Sequence, residues 1–325
     1  MEPRPRNHGG LRLAVAAACV SGVAVFVNGE AVGAFPSPTV YTTAKNLVAG
    51  LLLVIVAARL ASPSGGLRAG AGQLRSHRVG LVAVAVVGGA VPFVLFFEGL
   101  SRATSTDAAF IHKTLVVWAA VLAVVVLRES VGVVQVAAVA LLVAGHALLT
   151  GGLGNLHLGA GELMILAATL CWSVELVVVK RVVADVPAAT VAAVRLGAGS
   201  VLLVMWLAFT GRLDQLVALD AGQWAWVAVT GPILALFVSL WYRALAAAPV
   251  TDVAAILVVG AVITGLLDLV VGGEPVDGRL PGWLLIVAGA ALVVARSRHD
   301  GSRPGAALAR PTGVGRPHGT AEAPR

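Results

Sequence analysis

Charge is what this sequence has least of. Aspartate, glutamate, lysine and arginine together make up 12% of its 325 residues, 58% are hydrophobic and the mean hydropathy is +0.93, whereas about a quarter of the residues of a soluble domain are charged. That balance excludes a soluble globular protein and leaves a membrane protein. The apolar runs are long and continuous, not alternating segments of about ten residues, so the spans are helices and not the strands of a barrel. Cysteine is nearly absent, with only Cys19 and Cys171, which excludes a disulfide scaffold. Phosphate loops, a His-Glu-x-x-His helix, a dinucleotide glycine fingerprint and Cys/His metal spacings are also missing, which disfavours an ATP-driven pump and leads us to expect neither cofactor nor metal. Among the basic residues lysine is scarce, three against twenty arginines. Together with abundant alanine, glycine and valine, this hints at a GC-rich bacterial genome.

What the chain does have is a duplication. Leu100, Ala103, Thr106, Asp107, Ala109, Leu122, Val125, Val126 and Glu129 match Leu245, Ala248, Thr251, Asp252, Ala254, Leu267, Val270, Val271 and Glu274 with no gap. Each copy reads as a Thr-Asp helix start, roughly twenty apolar residues, and a glutamate close to turn residues. The correspondence extends outward. Asn46 to Gly50 pairs with Arg195 to Gly199, Val84 to Gly88 resembles Val227 to Gly231, and Val143-Ala144-Gly145 pairs with Val287-Ala288-Gly289. The two cysteines fall at matching Cys-Val-Ser and Cys-Trp-Ser positions, so common ancestry explains them better than a disulfide or metal site.

Taken in order, the chain reads as a cytoplasmic N-terminus (1–10), a first five-helix repeat (11–150), a linker (151–160), a second five-helix repeat (161–296) and a disordered cytoplasmic tail (297–325). Arginines ahead of the Leu13 to Val27 run give the start the outline of a signal peptide. The Cys-Val-Ser match inside that run argues that the helix is retained. The third span, about Val79 to Leu100, carries Pro92 within it, which neighbouring helices can accommodate. The expected fold is all-α, a polytopic membrane protein of ten transmembrane helices, and an odd number of spans per repeat makes the two repeats inverted. With the N-terminus inside, the inner segments hold seventeen Lys and Arg and the outer loops three, Arg102, Arg212 and Arg279, so both termini are expected to be cytoplasmic.

Lys45, Lys113 and Arg195 remain inside spans. A charge in the hydrocarbon layer costs at least about 2.5 kcal/mol on insertion scales, so such residues face a cavity or each other. At about 1.5 Å per residue Lys113 lies ~15 Å from the outer end of its span, near the midplane. Helical spacing places it on one face with Thr106, Ala109, Val117 and Ala120. Lys113, its neighbour His112, Lys45 and Arg195 are therefore the candidate substrate-binding residues. Glu175 and Arg195, ~9 and ~12 Å from the inner ends of adjacent spans by the same rise, are candidates for a buried ion pair or for proton coupling. Asp107 and Asp252 read as helix caps, and Glu129 and Glu274 as interfacial residues needing no functional role.

The paired spans ending in Glu129 and Glu274, with Cys171-Trp172-Ser173 and Arg195, resemble the EamA-type branch of the drug/metabolite transporter superfamily over about residues 11 to 296. The resemblance implies secondary transport of a small metabolite, often outward and often proton-coupled. The family often has a proline midway along its fourth and ninth spans. This chain has none between Pro92 and Pro187 or between Pro249 and Pro275; Gly260 is the expected source of flexibility in the second copy. The expected function is thus alternating-access transport of a small polar metabolite, anionic or zwitterionic because cations outnumber acids inside the spans, across a bacterial inner membrane. The expected partners are substrate, lipid bilayer and protons, without nucleic acid, and a homodimer is compatible. A membrane enzyme acting on a lipid-linked substrate would need acids or histidines clustered at one interface, and His112, His146, Glu98 and Asp268 do not obviously converge in sequence. A non-transporting membrane subunit would show no solute flux.

Overall fold

A computed structural model describes residues 8–60, 72, 74–103, 105–129, 131–149, 159–271, 278 and 280–302. Their regular structure is helical throughout: α1 His8–Val32, α2 Pro38–Leu60, α3 Arg78–Ala83, a π-helical turn Val84–Gly88, α4 Val91–Leu100, α5 Ser105–Lys113, α6 Leu115–Leu127, α7 Val133–Leu149, α8 Ala160–Val182, α9 Ala188–Phe209, α10 Leu213–Val217, α11 Ala221–Ala247, α12 Val250–Leu257, α13 Gly260–Val270 and α14 Leu280–Ser302. Among the described residues seven helical stretches are long and apolar enough to cross a membrane, and Ile111–Leu127, Val133–Leu149 and Leu280–Val293 are shorter apolar helices. With α3 and α4, α5 and α6, and α12 and α13 each forming one interrupted span, these are the ten spans of a polytopic membrane protein. The last helix runs on to Ser302, past the boundary read at residue 296; the linker 151–158, Glu274 and the tail from 303 lie outside the described residues.

The side-chain distribution is that of a chain folded in lipid. Leu51, Val125, Met205, Val270 and Phe209, the last 84% exposed, stand outward, while Thr39, Thr42, Thr43, Lys45 and Asn46 of α2 are buried. In hydrocarbon the exposed face carries no polar penalty, and it is the interior that must satisfy polar groups.

Helix packing carries the signature of the duplication. If each span is exchanged for its partner in the other repeat, the contacts map onto themselves: α2 packs on α9 and α7 on α14, each pair symmetric with itself; α1 on α11 is mirrored by α8 on α4; α1 on α13 is mirrored by α8 on α6. Each repeat thus lays its first helix against the third and fourth spans of the other half. Neither half closes a core alone.

Pro92 does not sit inside a continuous helix. The third span loosens into the π-helical turn, where Gly89 N bonds Val84 O at 3.0 Å, and α4 begins afresh with Pro92 in its first turn. There the missing N–H would be unpaired in any case. Asp252 is likewise not a cap. Pro249 precedes α12, Asp252 is its third residue, and its carboxylate accepts from Gln135 Nε2 at 2.7 Å; Asp107 is the third residue of α5 in the same way. The cap comes from the other repeat. The Glu129 carboxylate accepts from Val250 N at 2.9 Å, from Thr251 N at 3.2 Å and from the Thr251 hydroxyl at 2.9 Å, satisfying orphan N–H groups where negative charge is favoured.

Candidate functional site

Both fourth-position spans break at the same place. In the first copy Thr114 N reaches back to Ile111 O at 3.1 Å and Val117 N to Thr114 O at 2.9 Å, and the Thr114 hydroxyl also bonds Ile111 O at 2.6 Å. In the second, Val258 N bonds Ala255 O at 3.2 Å, Val259 N bonds Ile256 O at 3.0 Å and Ala261 N bonds Val258 O at 2.9 Å. These i to i−3 bonds are a short tightened turn in mid-helix, the usual mark of a hinge. Lys113 and Val258 are the matching residues of the duplication, and each lies at its break. No proline is needed. Gly260 stands directly after the second break, and a Cβ there would lie 2.9 Å from Ala18 O of α1.

Deeper in the bundle is a buried charge network. Arg195 Nε lies 2.8 Å from Glu175 Oε1 and Arg195 Nη2 donates to Glu175 Oε2 at 3.1 Å, with side chains 8% and 3% exposed. The Tyr242 hydroxyl also donates to Glu175 Oε1. Adjacent spans of the second repeat hold the ion pair, and the π-helical turn of the first repeat closes over it. A Cβ on Gly88 would overlap the Glu175 carboxyl group, and one on Gly89 would overlap the backbone of Arg195. Trp172 Nε1 donates to Gly88 O at 3.3 Å.

A second polar group lies at the end of the bundle marked by Arg212. Glu98 Oε1 accepts from Arg212 Nη1 at 2.5 Å and from the Thr39 hydroxyl at 2.9 Å, and Arg102 Nη1 stands 3.4 Å from Oε2. Beside it opens a chamber of about 360 Å³ lined by Pro38, Thr39, Phe97, Glu98, Arg212 and Gln215, among others. Lys45 is 4% exposed. Its ammonium donates to Asn28 Oδ1 at 3.2 Å and stands over the rings of Tyr41, 4.7 Å, and Phe97, 5.5 Å. At the opposite end Lys180 donates to Leu245 O in the last turn of α11 and to Ala248 O just beyond it, at 2.6 Å each, and His77 Nε2 meets Asp185 at 3.0 Å.

The structure therefore brings Glu175 and Arg195 together and spreads the other candidates along a path. From Lys45 over Phe97 the ring centroids run Phe97 to Phe96 5.4 Å, Phe96 to His112 5.2 Å, His112 to Trp172 5.0 Å and Trp172 to Phe93 5.5 Å, with the Arg195 guanidinium 5.9 Å from Phe93. His112 Nδ1 is buried with no hydrogen-bond partner among the described residues. Lys113 is half-buried, makes no hydrogen bond or ion pair with them, and lines a void of about 10 Å³ with Thr114, Leu142, His146 and Val258. Sequence reasoning missed Tyr41, Tyr242, Asn28 and Gly88. The tyrosines had a signal. They are the two tyrosines of the whole chain, both fully buried, and each lies beneath a buried cation.

A family model described as the EamA-like transporter family matches residues 8–151 and again 159–295. The chain belongs to the EamA-like transporter family. It is a multi-pass membrane protein of the transporter class. An uncharacterized transporter of Bacillus subtilis (strain 168), YyaM, is 24% identical over 176 residues, 53% of this chain and 58% of that protein; the chain thus spans little more than half the length of that curated relative. A solved protein structure superposes with a TM-score of 0.70 at 19% identity, covering 89% of this chain and 98% of that one, which establishes a shared fold.

Proposed function

We propose that this EamA-family chain is a secondary carrier that moves a small polar metabolite, anionic or zwitterionic, across a bacterial inner membrane by alternating access, with export coupled to protons. The observation that carries this reading is the pair of breaks at equivalent points of the fourth and ninth spans, with Lys113 at one and Val258 at the other. Discontinuous helices in corresponding positions of two inverted halves are where carriers hold their substrates. One half offers a cation there and the other an apolar side chain, so a single anionic group is met by a single special residue. In this reading Lys113 is the principal substrate contact, His112 and Lys45 line the approach, and Arg195 sets the charge of Glu175. Glu175 is the coupling residue: protonation would release it from Arg195 and free the π-helical turn above it. Both termini are cytoplasmic, which puts the Arg212 end outside and the Lys180 end inside, as the distribution of basic residues requires. Solute counterflow in proteoliposomes under an imposed pH gradient, with Lys113→Met beside the parent chain, is the test.

A further inference from the structure

We infer that the chamber at the Arg212 end leads to an anion-binding site whose ammonium group is Lys45, that the Phe97 ring is the partition between them, and that the ligand is a small monocarboxylate with a flat, aromatic body. This deepens the transport reading above by naming the substrate class, with Lys45 holding the carboxylate on the approach ahead of Lys113, and it rests on that reading for its direction of access.

Lys45 is a cation with no anionic partner among the described residues. Lys45 is 4% exposed, and among the described residues its one hydrogen bond goes to the neutral Asn28 Oδ1. That oxygen already accepts from the Tyr41 hydroxyl. No described carboxylate forms an ion pair with Lys45, whereas Arg195 holds Glu175, and Arg212 and Arg102 share Glu98. An ammonium has three donors, so two remain for a ligand, matching the two oxygens of one carboxylate. A charge buried without an anion is retained in a membrane protein where it marks a substrate or ion path.

Next comes the shape of the surroundings. Tyr41 and Phe97 hold their rings against the cation, and Phe96 and Trp172 extend the same aromatic wall, with centroids 5.6 Å apart. A flat apolar body stacks on such a wall at separations of about 4.5–7 Å. Beside the chamber the guanidinium groups are already committed to Glu98, so a second negative charge would find no free cation at this mouth. This favours a monoanion over a dicarboxylate or a phosphate ester.

Last is access. Phe97 lines the 360 Å³ chamber and also stands against Lys45, so one ring meets the chamber and the ammonium. The chamber falls at the small end of the ~300–1,000 Å³ typical of ligand pockets. Its lining of Thr39, Ser101, Glu98 and Gln215 suits a hydrated mouth, with the aromatic wall behind.

The test uses the full-length chain in nanodiscs, benzoate as the probe and equilibrium dialysis as the readout. Cys19 and Cys171 are first replaced by serine. In that background Lys45→Cys is expected to lose benzoate binding by about tenfold or more. Modification of the new thiol with an aminoethyl thiosulfonate rebuilds an ammonium of near-lysine length and is expected to restore affinity to within about threefold, while a neutral ethyl adduct and a sulfonatoethyl adduct do not. Phe97→Ala is expected to speed modification at position 45 from the Arg212 side by about tenfold or more. Unchanged benzoate binding in Lys45→Cys, equal rescue by all three adducts, no rescue by any, or equal competition by benzyl alcohol overturns the inference. Because binding is read without flux, benzoate binding in a chain that moves no solute contradicts the transport reading alone. Flux without benzoate binding at Lys45 contradicts this inference alone.

Discussion

Replacing Arg195 by methionine strands the Glu175 carboxylate in a site where its side chain is 3% exposed, with the Tyr242 hydroxyl as its remaining donor. Breaking a buried pair by removing one partner costs about 3–5 kcal/mol. A hydrogen bond to a charged group retains about 1.5–3 kcal/mol of compensation, so Arg195→Met belongs near the low end of that range, about 3 kcal/mol. Glu175→Gln leaves the guanidinium over the rings of Phe93 and Tyr242 at 5.9 and 5.8 Å. Cation–π contact offers only about 0.5–2 kcal/mol, and this variant belongs near the high end. The double variant removes both charges and recovers much of either loss, for a coupling energy of about 2–3 kcal/mol. Ordinary interhelical hydrogen bonds in membranes average ~0.6 kcal/mol in the same kind of cycle, so the two cases are well separated. The assay is reversible unfolding in mixed micelles, followed by tryptophan fluorescence. Losses that add to within about 0.5 kcal/mol would refute the ion pair and with it the coupling role given to Glu175.

Gly88→Ala places a methyl group against a carboxyl group fixed by two partners, and an overpacking loss of about 1–3 kcal/mol is expected in the same micelles, shrinking in a Glu175→Ala background; equal losses in both backgrounds would show that the turn does not press on Glu175. Glu129→Ala removes the acceptor for the first N–H groups of α12 and should cost about 1–2 kcal/mol, with faster hydrogen exchange at Val250 and Thr251. Unchanged exchange there would contradict the cap. Reporters fused near residue 68 and after residue 302 are expected on the cytoplasmic side and one near residue 155 outside. A reporter at 155 found inside would break the inverted arrangement.

The fold was readable because a duplication repeats its constraints. Leu100 to Glu129 and Leu245 to Glu274 matched without a gap, and the same pairs of spans pack against each other across the two halves. Glu175 and Arg195 were legible as a pair because charges inside apolar helices are few and the helical rise sets their depth. The breaks were not legible. Lys113-Thr114 and Val258-Val259 carry neither proline nor glycine, and Gly260 after the second break has Leu115 as its counterpart in the first copy. Pro92 was read as lying inside one continuous span because the apolar run continues through Val84 to Gly88, whereas only hydrogen bonding reveals that the helix restarts. The role of Glu129 depends on residues some 120 positions away, a distance over which helical spacing says nothing. Glu98 lies at the end of its span, where sequence alone cannot tell a hydrated carboxylate from one held by Arg212 and Thr39.

The central claim is that the two halves move a solute past the paired breaks, and counterflow of labelled solutes in proteoliposomes under an imposed pH gradient tests it most directly. The parent chain is expected to show saturable, gradient-dependent exchange of at least one anionic or zwitterionic metabolite. Lys113→Met should insert normally and lose that exchange, and Lys113→Arg should restore it only in part, because a planar fork does not replace a compact ammonium. Exchange no greater than in protein-free vesicles across the solute panel would contradict the account, as would a Lys113→Met variant that transports at the parent rate with unchanged apparent affinity.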